Sequence, residues 1–158
     1  MAQAFIPLQG WEGPMSATAG VASLDTLYRG LIDAMRQKGR IIVAFSGGVD
    51  SGLVARLAHD ALGSDSLAVL ADAESLSRHE LDEAVAEAAE IGIPLRVLPI
   101  SELANGAYVA NPTNRCYFCR KELGRNLRPL ADELGFDVIA DGVNLSDLGE
   151  YRPGIQAM

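Results

Sequence analysis

The 158-residue chain is poor in the residues that usually advertise a metalloprotein or a secreted scaffold: two cysteines, two histidines, one tryptophan, and only 6% aromatics. The two thiols, at positions 116 and 119, stand too close together to staple a fold. That spacing excludes a disulfide framework and leaves thiols or metal ligands. His59 and His79 have no metal-spaced partner and are expected at the surface. Basic residues are also scarce: 13 lysines and arginines against 21 acidic residues give a net charge of −8. A charge of that sign opposes phosphate backbones. With no basic run and no aromatic–basic interleaving, a nucleic-acid surface is not expected. No stretch approaches the roughly 20 apolar residues of a membrane span, so no membrane contact is expected. Residues 1–20 lack a basic n-region and an apolar h-region, so they do not form a secretory signal and read as a poorly ordered tail, with Met15 a candidate internal start. The expected location is cytoplasmic.

What is present is an ordinary globular composition, 49% apolar and 22% charged, in a chain long enough for one core. Apolar spacing predicts helices over 24–37, 53–62, 76–91 and 113–134. Short β-branched runs predict strands over 41–45, 66–71, 95–100 and 137–140. Alternation of this kind implies an α/β fold, a parallel sheet with helices on both faces, occupying residues 21–158.

The most informative segment is Ser46-Gly47-Gly48-Val49-Asp50-Ser51, between the first strand, ending in Ala44 and Phe45, and a helix. Open α/β sheets bind ligands beyond the carboxyl ends of their strands. Two glycines there let backbone approach an anion closely, and the free amides of the turn and of the helix start converge on one point. Ser46 and Ser51 add hydroxyls. Asp50 gains a purpose only beside a cation such as Mg²⁺. A Walker A loop is excluded because no lysine follows, and the spacing of Gly47, Gly48 and Gly52 excludes a dinucleotide fingerprint.

The SGGxDS pattern at 46–51 resembles the signature of the PP-loop ATP pyrophosphatases. The segments Asn111-Pro112-Thr113-Asn114-Arg115-Cys116-Tyr117-Phe118-Cys119, Asp141-Gly142-Val143-Asn144 and Tyr151-Arg152-Pro153-Gly154 are similar to the LarE family of sacrificial sulfur transferases within that superfamily. The resemblance implies an adenine nucleotide alpha-hydrolase-like, HUP-type Rossmann-like sandwich. It implies ATP and Mg²⁺ as cofactors, with Ser46, Asp50 and Ser51 catalytic and Asp50 on the metal. Ala44, Phe45, Ser46, Gly47, Gly48, Asp50, Ser51, Leu70, Asp72, Arg115, Asp141 and Gly142 become the ATP-binding set. The implied chemistry is attack of a substrate carboxylate, on a pyridinium mononucleotide, at the α-phosphorus. Pyrophosphate leaves and a sulfur nucleophile then displaces AMP. The family continues past this chain's last residue, so the resemblance also implies truncation at the C-terminal end. A homo-oligomer or a separate C-terminal polypeptide then stands as the partner. Gly52 and Ser146 depart from the family pattern, which commonly has threonine and aspartate there.

Cys116 and Cys119 share one helix face, and the helix N-terminus with Arg115 and Arg120 is expected to favour thiolate. In some members of the resembling family such a pair, with a later cysteine, holds a [4Fe-4S] cluster. Inert thiols and a redox dithiol are the alternatives. At the level of function, a PP-loop amide ligase, a tRNA-thiolating enzyme and a nucleotide-binding module without turnover compete with sulfur transfer.

Overall fold

A computed structural model of the chain describes residues 23–149 and 151–157; the expected tail and Met15 lie outside the described residues. Among the described residues there are five helices and four strands, in the order α1 Leu24–Arg36, β1 Ile41–Phe45, α2 Val49–Leu62, β2 Ser66–Asp72, α3 Arg78–Ile91, β3 Leu95–Pro99, the short α4 Gly106–Val109, α5 Arg115–Leu134 and β4 Val138–Ala140. Short 3₁₀ turns follow α2 and lie at Leu145–Gly149 and Pro153–Ala157.

All pairings are parallel, in the order β3-β2-β1-β4. The registers place Phe45 opposite Leu70, Asp72 opposite Pro99 and Val43 opposite Ala140. The strand carboxyl ends therefore gather at one edge. The chain steps outward from β1 to β2 and β3, then returns to the other side of β1 for β4. That reversal opens a crevice between the loops that leave β1 and β4, the place where open α/β sheets take ligands.

The period-2 alternation of β1 explains the layers. Ile41, Val43 and Phe45 are buried with Ala55 and Ala58 of α2 and Ala84 and Ala88 of α3 on one face. Ile42 is buried on the other face with Leu127, Leu130 and Ala131 of α5. A strand buried on both faces has to read as a continuous apolar run, and this one does. Helix ends follow their caps. Ser77 and Glu80 form a reciprocal capping box that starts α3, and Gly92, at φ 86°, ends it. The start of α3 is thus two residues later than position 76. The interior Pro129 does not end α5, which runs on to Leu134. The guanidinium of Arg40 donates to the carbonyls of Leu134 and Gly135 at 2.7 and 2.9 Å and lies 4.3 Å from the centre of the Phe136 ring. Those contacts fasten the end of α5 to the approach of β1.

Candidate functional site

The glycine turn leaves β1 at the crevice. Gly47 sits at φ 73°, and a Cβ there would meet the Ala84 Cβ at 2.7 Å, so the position requires glycine twice over. Gly48 caps α2, which begins at Val49. The expected helix start at 53 is corrected: Asp50 and Ser51 belong to the first turn of α2, because polar residues there leave no apolar mark for periodicity to register. Amides of a helix's first turn have no carbonyl one turn earlier to accept them. Ser46, Gly47, Gly48, Val49 and Asp50 are all exposed. This is a concentration of unpaired donors open to solvent, at the positive end of a 14-residue helix.

Ser51 is 5% exposed and organises the turn rather than projecting from it. Its hydroxyl accepts from the Ser46 amide at 3.2 Å, lies 3.0 Å from the Ser46 hydroxyl and donates to the Gly48 carbonyl at 3.0 Å. Across the crevice stands the loop after β4. A Cβ at Gly142 would fall 2.7 Å from the Ser51 amide nitrogen, so the loop can approach the glycine turn only without a side chain. Asn144 reaches toward Asp50, with Nδ2 to Oδ2 at 3.5 Å. Asp141 accepts from the Val143 amide at 3.0 Å and forms an ion pair with Arg120 of α5.

The remaining expected nucleotide residues divide. Ala44 leads into the turn and is partly buried, while the side chains of Phe45 and Leu70 are 3% and 2% exposed and belong to the core. Those two can offer a ligand only their backbone. Asp72 lies at the carboxyl end of β2, where two bonds from Arg78 hold its carboxyl below the usual carboxylate range. Arg115 is not brought to the glycine turn: it donates to the Asn111 carbonyl oxygen of the side chain at 3.2 Å and covers the Tyr108 ring at 5.3 Å.

The expectation of a thiolate at Cys119 is also corrected. Cys116 is exposed, whereas burial, and then a hydrogen bond to Glu102, push the Cys119 thiol up from 9.0 to about 12. The charge of Arg120 opposes this more weakly than burial and Glu102 drive it, and Arg115 is paired with Asn111. Glu102 is a site residue that sequence reasoning missed. It is 4% exposed, accepts from the Ser75 hydroxyl at 2.6 Å, and gives its own amide to Glu74 at 2.9 Å. The Ser101 hydroxyl completes the knot by donating to Glu74 at 2.5 Å, which lowers the pKa of Glu74. Its one sequence signal is position, just past β3 at the ligand edge. His59 is likewise not on a solvated face: its Nδ1 is buried and without a partner, and its Nε2 would lie 3.3 Å from a Cβ at Gly92.

Among the described residues no three His, Cys, Asp or Glu side chains are placed to hold a metal. Mg²⁺ does not need such a cage, being held commonly by one or two carboxylates and substrate phosphates, and the exposed Asp50 suits that role. A [4Fe-4S] cluster takes four thiolate-type ligands. Cys116 and Cys119 supply two thiols, Cys119 half-buried beside Glu102, and among the described residues no third such ligand joins them. Among the described residues no helix is long and apolar enough to cross a membrane.

Comparison with known proteins agrees with this geometry. The model of the NAD synthase family matches residues 23–116. An uncharacterized protein of Synechocystis is 52% identical over 118 residues, covering 75% of this chain and 44% of that protein. The pyridinium-3,5-bisthiocarboxylic acid mononucleotide synthase of Lactiplantibacillus plantarum is 33% identical over 138 residues, 87% of this chain and 50% of the synthase. The chain thus spans about half the length of these relatives. Among solved structures, the glutamine-dependent NAD⁺ synthetase of Acinetobacter baumannii, in complex with ADP, superposes with a TM-score of 0.68 at 22% identity, covering 84% of this chain and 28% of that one.

Proposed function

The chain belongs to the NAD synthase family of PP-loop proteins, and on that premise we propose that it binds ATP at the glycine turn and activates a carboxylate as its adenylate for sulfur insertion into a pyridinium mononucleotide. The observation that carries this reading is the convergence of two loops at the strand-order reversal. The open amides of residues 47–50 face the crevice from one side, and Gly142 seats the β4 loop against the Ser51 amide from the other. Amides of the turn and the exposed Ser46 hydroxyl would grip the β and γ phosphates, with Ser51 holding the turn in shape behind them. Their donors also stabilise the charge that collects on pyrophosphate as it leaves. The carboxylate oxygen bonds to the α-phosphorus, the bond to the bridging oxygen breaks, and its electron pair departs with pyrophosphate. Mg²⁺, when bound, would share that charge between phosphate oxygens and Asp50. Asp141 and Asn144 would line the far wall.

A sulfur acceptor is favoured over ammonia by the breadth of the likeness to the Lactiplantibacillus synthase, 87% of this chain, where the family model stops at Cys116. The family model itself favours the second reading, an amide-forming ligase that uses the same adenylate. Both readings expect AMP and pyrophosphate from ATP and a pyridinium mononucleotide carboxylate. ATP converted to ADP sinks both, and ATP bound without any pyrophosphate release would favour a module without turnover. Sulfide against ammonia as acceptor separates thiocarboxylate from amide by mass. Ser46→Ala is expected to lower pyrophosphate release by about 10²–10³, the usual effect of losing one donor to a developing charge.

A further inference from the structure

Arg120 joins the cysteine-bearing helix α5 to the loop that lines the nucleotide crevice. It lies four positions after Cys116, on the same helix face. Its stem is covered by the last 3₁₀ turn: a Cβ at Gly154 would fall 2.9 Å from the Arg120 Cδ and 3.2 Å from the Cys116 carbonyl oxygen. Its guanidinium forms an ion pair with Asp141, two side chains that are 29% and 19% exposed. The other Asp141 oxygen takes the Val143 amide and so bends the loop that sets Gly142 against the Ser51 amide. The contacts run unbroken from the thiol turn, through one guanidinium, to the backbone of the glycine turn.

We infer that Arg120 is a positioning residue that holds the 141–144 loop in register with the glycine turn and links that register to the cysteine-bearing turn of α5. Its meaning for nucleotide binding rests on the function proposed above; the link itself does not. Partly screened from water, the pair has a defined geometry, and Asp141 cannot keep both the ion pair and the Val143 amide if either partner moves. By thermodynamic reciprocity, whatever free energy couples the thiol turn to the phosphate loop is the same read from either end. The Arg120 Nε is buried without a partner, and the guanidinium is held through its bond to Asp141.

Hydrogen exchange of the full ligand-free chain tests this. Arg120→Met is expected to speed exchange about fivefold or more at the Val143 and Asn144 amides and at the bonded Ser46 and Gly52 amides of the glycine turn, while the amides of β2 stay at wild-type rates. Asp141→Asn should give the same pattern, and the double variant no further increase, the mark of one shared interaction. Arg120→Lys, which keeps a charge for Asp141, should recover part of the protection. A rise confined to 141–144, a uniform rise across the sheet, or additive single effects would overturn the inference. Adding MgATP to the wild type is a separate arm: unchanged exchange at 46–51 would sink the nucleotide reading while leaving the ligand-free result to decide the role of Arg120.

Discussion

Gly47 is the residue at which the local and the tertiary demands coincide. Its positive φ suits only a residue without a Cβ, and Ala84 of α3 fills the space a Cβ would need. Gly47→Ala is therefore expected to cost about 2–4 kcal/mol, combining left-handed backbone strain with overpacking. Urea denaturation checks it, and a loss below about 1 kcal/mol would mean the turn relaxes freely. At this scale the sequence was most legible where chemistry is local. Ser46, Gly47, Gly48, Asp50 and Ser51 lie within six positions, so their pattern can be read directly. Glu102 and Arg120 could not be read in that way, because Ser75 is 27 residues from the first and Asp141 is 21 from the second.

Among the elements, α5 carries the clearest consequence. It is pinned at its far end by Arg40 and near its start by Cys119 against Glu102. With Cys116 exposed and Cys119 half-buried, native protein at pH 8 should take iodoacetamide faster at Cys116, and denaturant should bring Cys119 to the same rate; equal rates in the native chain would contradict the shielding of Cys119. The linkage has a definite sign. The folded thiol holds its proton to about 12 and the unfolded one only to 9.0, so the contribution is full below pH 9 and lost as pH rises toward 12. Cys119→Ser should flatten stability across that window. Strand β1 was readable to the residue because it is a continuous apolar run, and Arg96 in β3 did not hide the apolar residues on either side of it. The start of α2 and the four-residue α4 were not, since one begins in polar residues and the other is too short to show a period.

For the molecule as a whole, strand order is what sequence could not give. The alternation of helices and strands implies a parallel sheet, yet nothing in it says that β4 returns beside β1 instead of extending from β3. The crevice exists only because of that return. Net charge acts at the same scale: at −8, transfer RNA should bind more weakly than about 10⁻⁴ M at physiological salt, the weak end of non-specific affinity. A gel shift at micromolar protein would revive the tRNA-thiolating alternative.

The return of β4 also has a cost during synthesis. About 40 residues separate the end of β3 from the end of β4, so at roughly 5–20 residues per second a ribosome needs about 2–8 s to deliver the strand that covers the outer edge of β1. Throughout that interval the most apolar strand of the nascent sheet presents bare amides and carbonyls to its surroundings. Neighbouring copies on one polysome carry the same uncovered edge. Slow codons between α4 and β4 should therefore lower the soluble yield more than the same codons placed before α1.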